Sequence, residues 1–189
     1  MLYTRKGDKG TTKVLDSKGR FSKGSPLAEA LGTLDEVNSF LGFCKVRARA
    51  AQEGAVPVRR KKERISDVLR EVQGNLFIAQ AELAGARRKH LTAAKVKRLE
   101  ELVDAIEKEI PPVTSFTVSG GTELSTMLDV ARTLARRTER RVVEVHNSDV
   151  RKVNGDTLAY LNRLSSLLFA LARLANHRSG ITEESPDYQ

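Results

Sequence analysis

Seven small or apolar residues, Leu124, Leu128, Ala131, Ala135, Thr138, Val142 and Val145, recur at spacings of 4, 3, 4, 3, 4 and 3. A mean period of 3.5 residues puts all seven on one stripe of a helix and demands a packing partner along its whole length. A strand repeats every second residue and cannot carry this pattern. The chain must therefore pack helix on helix around this seam.

Other segments supply the partners. Pro26 suits the first turn of a helix, and Leu27, Leu31, Leu34 and Leu41 follow as a stripe with Asp35 and Asn38 at its edge. A second stripe holds Ile65, Val68, Leu69, Val72, Leu76, Ala79 and Leu83, and the basic run from Arg59 to Lys62 opens that helix. Between the two, residues 52–58 contain Gly54 and Pro57 and read as a loop. A third, shorter helix carries Val96, Leu99, Leu102, Val103 and Ile106 and stops at Pro111-Pro112. Residues 113–122 are extended and end in Gly120-Gly121, ahead of the seam helix. A fifth helix runs from about Gly155 to Asn176. Its apolar stretch is interrupted by Asn162, Arg163 and Arg173, so it reads as a buried amphipathic helix and not a membrane span.

Residues 1–25 lack helical periodicity and read as an ordered arm with a hairpin turn near Asp16-Ser17-Lys18-Gly19. The tail from Ser179 to Gln189 is polar and expected to fray. The expectation is one all-α domain over residues 1–189: a five-helix bundle, ferritin-like and up-down, spanning 26–178 behind the arm.

Charge narrows the ligand class. Lys and Arg number 33 against 24 Asp and Glu, a net charge of +9 that favours anionic partners. Aromatic residues are only 5% of the chain, without Trp, which weakens a base-stacking surface. Cys44 is the sole cysteine, so an intrachain disulfide and a multi-cysteine metal site are both excluded. His90, His146 and His177 are far apart in sequence, which disfavours a histidine cluster. The first residues contain no apolar run, so no secretory signal is expected, and a reducing cytoplasm is the expected compartment.

Two stretches can hold an anion. The opening run Thr4-Arg5-Lys6-Gly7-Asp8-Lys9-Gly10-Thr11-Thr12-Lys13 combines glycines that turn backbone N–H groups inward with hydroxyls and cations. It lacks the G-x-x-x-x-G-K-[ST] spacing of a P-loop, and a flexible basic arm is its plain alternative. On the seam helix, Arg132, Arg136 and Arg140 fall at i, i+4 and i+8, with Arg137 and Arg141 on the next strip. Like charges four residues apart repel by a few tenths of a kcal/mol, so an anionic ligand would relieve them. Glu139 can orient one of them. Asp35, Asn38, Asn162 and Ser165 lie beside apolar stripes and need polar partners if buried. An arginine of the seam helix is the evident partner for Asp35. Phe116, before the glycine pair, reads by itself as a core anchor.

Four of these pieces, in order, resemble the PduO-type ATP:cob(I)alamin adenosyltransferases. They are Thr4–Thr12, Gly32-Thr33-Leu34-Asp35-Glu36-Val37-Asn38-Ser39, Ala131 to Arg141, and Leu161-Asn162-Arg163-Leu164-Ser165. Ser119 and Ser166 depart from the family's usual Pro and Asp. The resemblance implies a homotrimer with active sites between subunits, ATP with magnesium as one substrate and cobalamin as the other. It implies that Thr4, Arg5, Lys6, Gly7, Thr12, Lys13 and Lys23 line the ATP phosphates. Arg136, Arg137, Glu139, Arg140 and Asn162 would hold the nucleotide, and Asp35 and Arg132 would pair across the subunit interface near the corrin. Phe116 would cover the lower face of cobalt. No magnesium ligands are assigned. A reductase or a cobalamin-dependent enzyme is a possible partner. The readings left beside this one are a basic helical nucleic-acid binder and a non-catalytic ATP- or cobalamin-binding trimer.

Overall fold

A computed structural model describes residues 2–50, 55–58, 61–86 and 88–188. Five helices dominate it: α1 (Pro26–Ala50), α2 (Ile65–Leu83), α3 (Ala93–Glu107), α4 (Glu123–Asn147) and α5 (Gly155–Arg178). Two short antiparallel hairpins complete it: β1 (Thr11–Thr12) with β2 (Phe21–Ser22), and β3 (Ala55–Val58) with β4 (Lys61–Arg64).

The seam of α4 is buried along its full length. Each of its seven residues is at most 1% exposed. Ala131 and Ala135 at its centre let neighbouring backbones approach closely. On one side α1 runs antiparallel to α4, as the pairings Arg47–Glu123, Glu36–Arg137 and Glu29–Arg141 require. Buried Thr138 donates from its hydroxyl to the Thr33 carbonyl at 2.9 Å and joins the same two helices. On the other side α5 runs antiparallel to α4, with Asn162 beside Glu139 and Arg173 beside Asp129. α2 closes the bundle: Gln73 donates to the Asn38 carbonyl of α1, and Asn75 donates to the Tyr160 hydroxyl of α5. α3 lies parallel to α5 outside this set, tied by Arg163–Glu100 and, just past the end of α3, by Arg178–Glu109.

The helix starts follow the sequence. Ser25 accepts from Ala28 N ahead of Pro26, Thr122 caps α4 by accepting from Ser125 N, and Asn154 caps α5 by accepting from Asp156 N. Cys44 is fully buried on α1, and burial pushes its thiol up to about 12, so it is a packing residue and not a nucleophile.

Three expectations change. The loop expected at 52–58 and the helix expected to open at Arg59 are replaced, among the described residues, by the β3–β4 hairpin, and α2 begins at Ile65. Val56 supplies the reason, since it is fully buried, and Arg98 of α3 pairs with Glu63 on β4. Residues 51–54 and 59–60 of those expectations lie outside the described residues. Second, the described part of the tail, up to Tyr188, is tied down and does not fray. Ser115 and Ser185 share a hydrogen bond of 2.9 Å, and Val118 N donates to the Glu184 carbonyl at 2.8 Å. Third, Phe116 is not a core anchor: it is 79% exposed.

No helix among the described residues is long and apolar enough to cross a membrane.

Candidate functional site

The arm is ordered by its own hairpin. Lys23 N donates to the Gly10 carbonyl, and two successive turns, Asp8 N to Arg5 O and Gly10 N to Gly7 O, coil the loop between. The Lys23 side chain folds over Gly7: a Cβ there would sit 2.9 Å from the ammonium nitrogen, a contact that the flexible lysine can relieve by moving. Arg5 has φ +56°, a left-handed conformation that costs a non-glycine residue and recurs at ligand-binding loops. Arg20 holds Thr11 through both its hydroxyl, at 2.8 Å, and its carbonyl, at 2.6 Å. The cations Lys6, Lys9, Lys13 and Lys23 stay exposed around this loop.

The arm is docked on the end of the bundle where α2 and α4 finish. Leu15 N donates to the Ala84 carbonyl, and Arg151 grips Asp16 with two hydrogen bonds of 2.5 and 2.6 Å. Gly85, at φ +95°, makes room for that carboxylate, since a Cβ would lie 2.2 Å from Asp16 Cγ. Gly85→Ala is therefore expected to cost about 1–3 kcal/mol and to loosen the arm. Faster proteolytic trimming of residues 2–25 than in the wild type, with the bundle intact, checks this.

The arginine strip divides as the spacing predicts. Arg137 and Arg141 turn toward α1, where they pair with Glu36 and Glu29. Arg136 and Arg140 are exposed and form no ion pair with the described residues. Beside them Asn162 donates from its amide to Glu139 at 2.9 Å, and Arg163 donates to Asn162 Oδ1 at 2.7 Å. Two cations without carboxylate partners next to a fixed amide and carboxylate suit a polyanion with a polar head group. No hydrogen bond or ion pair joins residues 3–13 or Lys23 to this strip among the described residues.

Farther along α4 the strip enters an open groove of about 920 Å³. Arg132 and Arg136 line it from α4, and Ser165, Ser166 and Phe169 from α5. Val103, Glu107 and Ile110 form the α3 side, Phe116 lines it from the loop before α4, and Ser185, Pro186 and Tyr188 of the tail complete the wall. The groove combines apolar surface, hydroxyls and two guanidinium groups, so it suits a ligand that has both apolar and polar or anionic parts. Asp35 lies outside it, exposed on α1. Arg132 does not pair with Asp35 in the chain; its partner is Asp129, one turn earlier, at 3.2 Å.

Sequence reasoning missed what supports this groove. Arg173 appeared as an interruption of an apolar run, but its side chain is 2% exposed and sits inside the protein. It donates to Asp129 Oδ2 at 2.8 Å and to the Thr117 hydroxyl at 2.6 Å, pairs with Glu183 of the tail, and lies over the Phe169 ring at 4.8 Å. Asn176, also buried, accepts from Thr122 N and donates to the Gly120 carbonyl and to Glu183. Gly121, at φ +101°, is fixed by this contact, since a Cβ would meet Asn176 Oδ1 at 2.3 Å. The one available signal was chemical: an arginine and an asparagine embedded in Leu167–Asn176 must find partners if the helix is buried.

Comparison with known proteins bears on the ligands. A family model described as cobalamin adenosyltransferase matches residues 2–175. The chain is 38% identical over 183 residues to the corrinoid adenosyltransferase of Bacillus subtilis (strain 168), covering 95% of this chain and 89% of that protein. It is 37% identical over 183 residues to the corrinoid adenosyltransferase PduO of Citrobacter freundii, covering 93% of this chain but 50% of that longer protein. The fold superimposes with a TM-score of 0.85, at 31% identity, on a phenylalanine-to-histidine variant of a PduO-type ATP:corrinoid adenosyltransferase from Lactobacillus reuteri complexed with cobalamin and ATP. That match covers 100% of this chain and 97% of the other.

Proposed function

The chain belongs to the cobalamin adenosyltransferase family, and we propose that it transfers the 5′-deoxyadenosyl group of ATP to the cobalt of cob(I)alamin. A cobalt lone pair forms the Co–C5′ bond, the C5′–O bond breaks, and inorganic triphosphate leaves with the bonding pair. The observation that carries this reading is the exposed Phe116 in the lining of a groove that also holds Arg132 and Arg136.

The chemistry asks little of acid–base groups. Triphosphate gains charge as it departs, so fixed cations stabilise the transition state. Arg136, Arg140 and the amide of Asn162 would grip the nucleotide, with Glu139 holding that amide in place. Arg137 would join them from the α1 side. Thr4, Arg5, Lys6, Gly7, Thr12, Lys13 and Lys23 would surround the phosphates, with magnesium accompanying ATP. Holding cobalt and C5′ in line supplies much of the remaining acceleration.

The lack of any hydrogen bond or ion pair between arm and strip among the described residues supports a homotrimer in which a neighbour's arm completes each site. Exposed apolar residues on the bundle, Phe43 at 61%, Phe77 at 62% and Val130 at 42%, are suited to burial between copies. Asp35, exposed on α1, would reach a neighbour's Arg132. The working compartment would be the cytoplasm, where a reductase can supply cob(I)alamin and a cobalamin-dependent enzyme can take the product.

Anaerobic incubation with ATP, magnesium and chemically reduced cob(I)alamin is expected to yield adenosylcobalamin and triphosphate in equal amounts. No product under these conditions would sink the reading. Arg136→Ala is expected to lower kcat/KM for ATP roughly 10- to 100-fold, the worth of one charge-assisted contact. Sedimentation should still report three copies. Dissociation to a monomer would instead make Arg136 structural.

A further inference from the structure

The adenosyltransferase reading gives Phe116 and Arg132 their roles, and the inference that follows rests on it. Neither residue is fixed by its own packing. Phe116 projects from a loop without regular structure, and Arg132 is partly exposed on α4. Both lead back to one buried guanidinium. Thr117, the residue next to Phe116, accepts a hydrogen bond from Arg173 Nη1 at 2.6 Å. Asp129 accepts from Arg173 Nη2 on one oxygen at 2.8 Å and from Arg132 on the other at 3.2 Å.

We propose that Arg173 is a positioning residue that sets the Phe116 loop and Arg132 in register on the corrin groove, with the tail as its third support through Glu183. The geometry suits arginine alone. Its planar fork delivers separate N–H groups to the loop hydroxyl and to the Asp129 carboxylate at fixed angles. A lysine offers one point charge and cannot hold both directions. The buried setting also removes competing water, so each bond holds its direction firmly.

The consequence is selective. Cobalt(I) carries no lower axial ligand, so its alkylation does not depend on where the Phe116 ring lies. Cobalt(II) does carry one, and taking up an electron becomes easier once that ligand is displaced. A loop that drifts should therefore impair the route that starts from cob(II)alamin more than the route from cob(I)alamin. A loss of stability would impair both alike.

Thr117→Val tests this with little change in volume, removing only the acceptor for Arg173. The full-length protein is assayed with ATP and magnesium in two ways: from cob(II)alamin with an excess of a one-electron chemical reductant, and from pre-reduced cob(I)alamin. The ratio of the first rate to the second is expected to fall about tenfold, the size of one lost hydrogen bond to a charged group. Thr117→Ser, which keeps the hydroxyl, should restore it. Electron paramagnetic resonance of cob(II)alamin bound with ATP should show less of the ligand-free cobalt signal in Thr117→Val. Arg173→Lys should lower the ratio as Thr117→Val does. An unchanged ratio, or equal loss by both routes, overturns the proposal. If the wild type fails to form adenosylcobalamin even from cob(I)alamin, the adenosyltransferase reading falls, and this inference with it.

Discussion

Phe116→Ala is expected to suppress adenosylcobalamin formation from cob(II)alamin about 100-fold, with ATP affinity held within about twofold. The ring is 79% exposed, so truncating it removes little core contact, and the fold should lose no more than about 0.5 kcal/mol. The defect would thus be chemical. An alanine leaves the lower face of cobalt open to water or to the displaced base. Each 59 mV by which such a ligand lowers the potential of a one-electron couple costs about a factor of ten in the reduced form. Rate measurements from cob(II)alamin, paired with ATP titration and a thermal melt, separate these effects. An equal loss of ATP binding would contradict the assigned role. A Tm lowered by many degrees would return Phe116 to a structural one.

Asp129→Ala is expected to destabilise the protein by about 3–5 kcal/mol, measured as a shift of the denaturant midpoint at constant m-value. Asp129 and Arg173 are 4% and 2% exposed at their side chains. Removing the carboxylate leaves the buried Arg173 cation with Glu183 and Thr117 as its only partners and no route to water. It also releases Arg132, so the same variant should lose activity at temperatures where it remains folded. Set against a total stability of about 5–15 kcal/mol for a domain of this kind, the loss is a large fraction. Replacing both members by apolar residues, Asp129→Leu with Arg173→Met, should recover much of the stability but not the activity. A single-variant loss below about 1 kcal/mol would show that Glu183 and Thr117 alone satisfy Arg173.

The two predictions differ in how far the sequence could have led to them. Phe116 was named from its place before the glycine pair and from a family resemblance; its exposure reversed the plain expectation of a core anchor. Asp129 was not named at all. It sits between Leu128 and Val130 and one turn before Arg132, a position that reads as an ordinary local ion pair. Nothing local reveals that Arg173, 44 residues away, claims its other oxygen.

The helical seams are legible because they obey a local rule. Burial of one helix face fixes the residue type at every third or fourth position, and the stripes of α1, α2, α3 and α4 record it directly. The short hairpin β3–β4 escaped because a few residues cannot express a period, and a basic run next to a helix imitates its first turn. The split of the arginine strip was also set by spacing: i+4 kept Arg132, Arg136 and Arg140 together and sent Arg137 and Arg141 toward α1.

By itself, then, the sequence determined five helices, the arm and the family to which the chain belongs, because periodicity and ordered motifs are properties of the chain. The tertiary structure alone decided which polar groups meet. It seated Asp16 against Gly85 and Arg151, turned Phe116 outward, pinned the tail, and converted Arg173 from a break in an apolar run into the support of the groove. The physical reason is that a hydrogen bond between distant residues leaves no mark on local composition, whereas its absence in a buried site would cost more than the fold could spare.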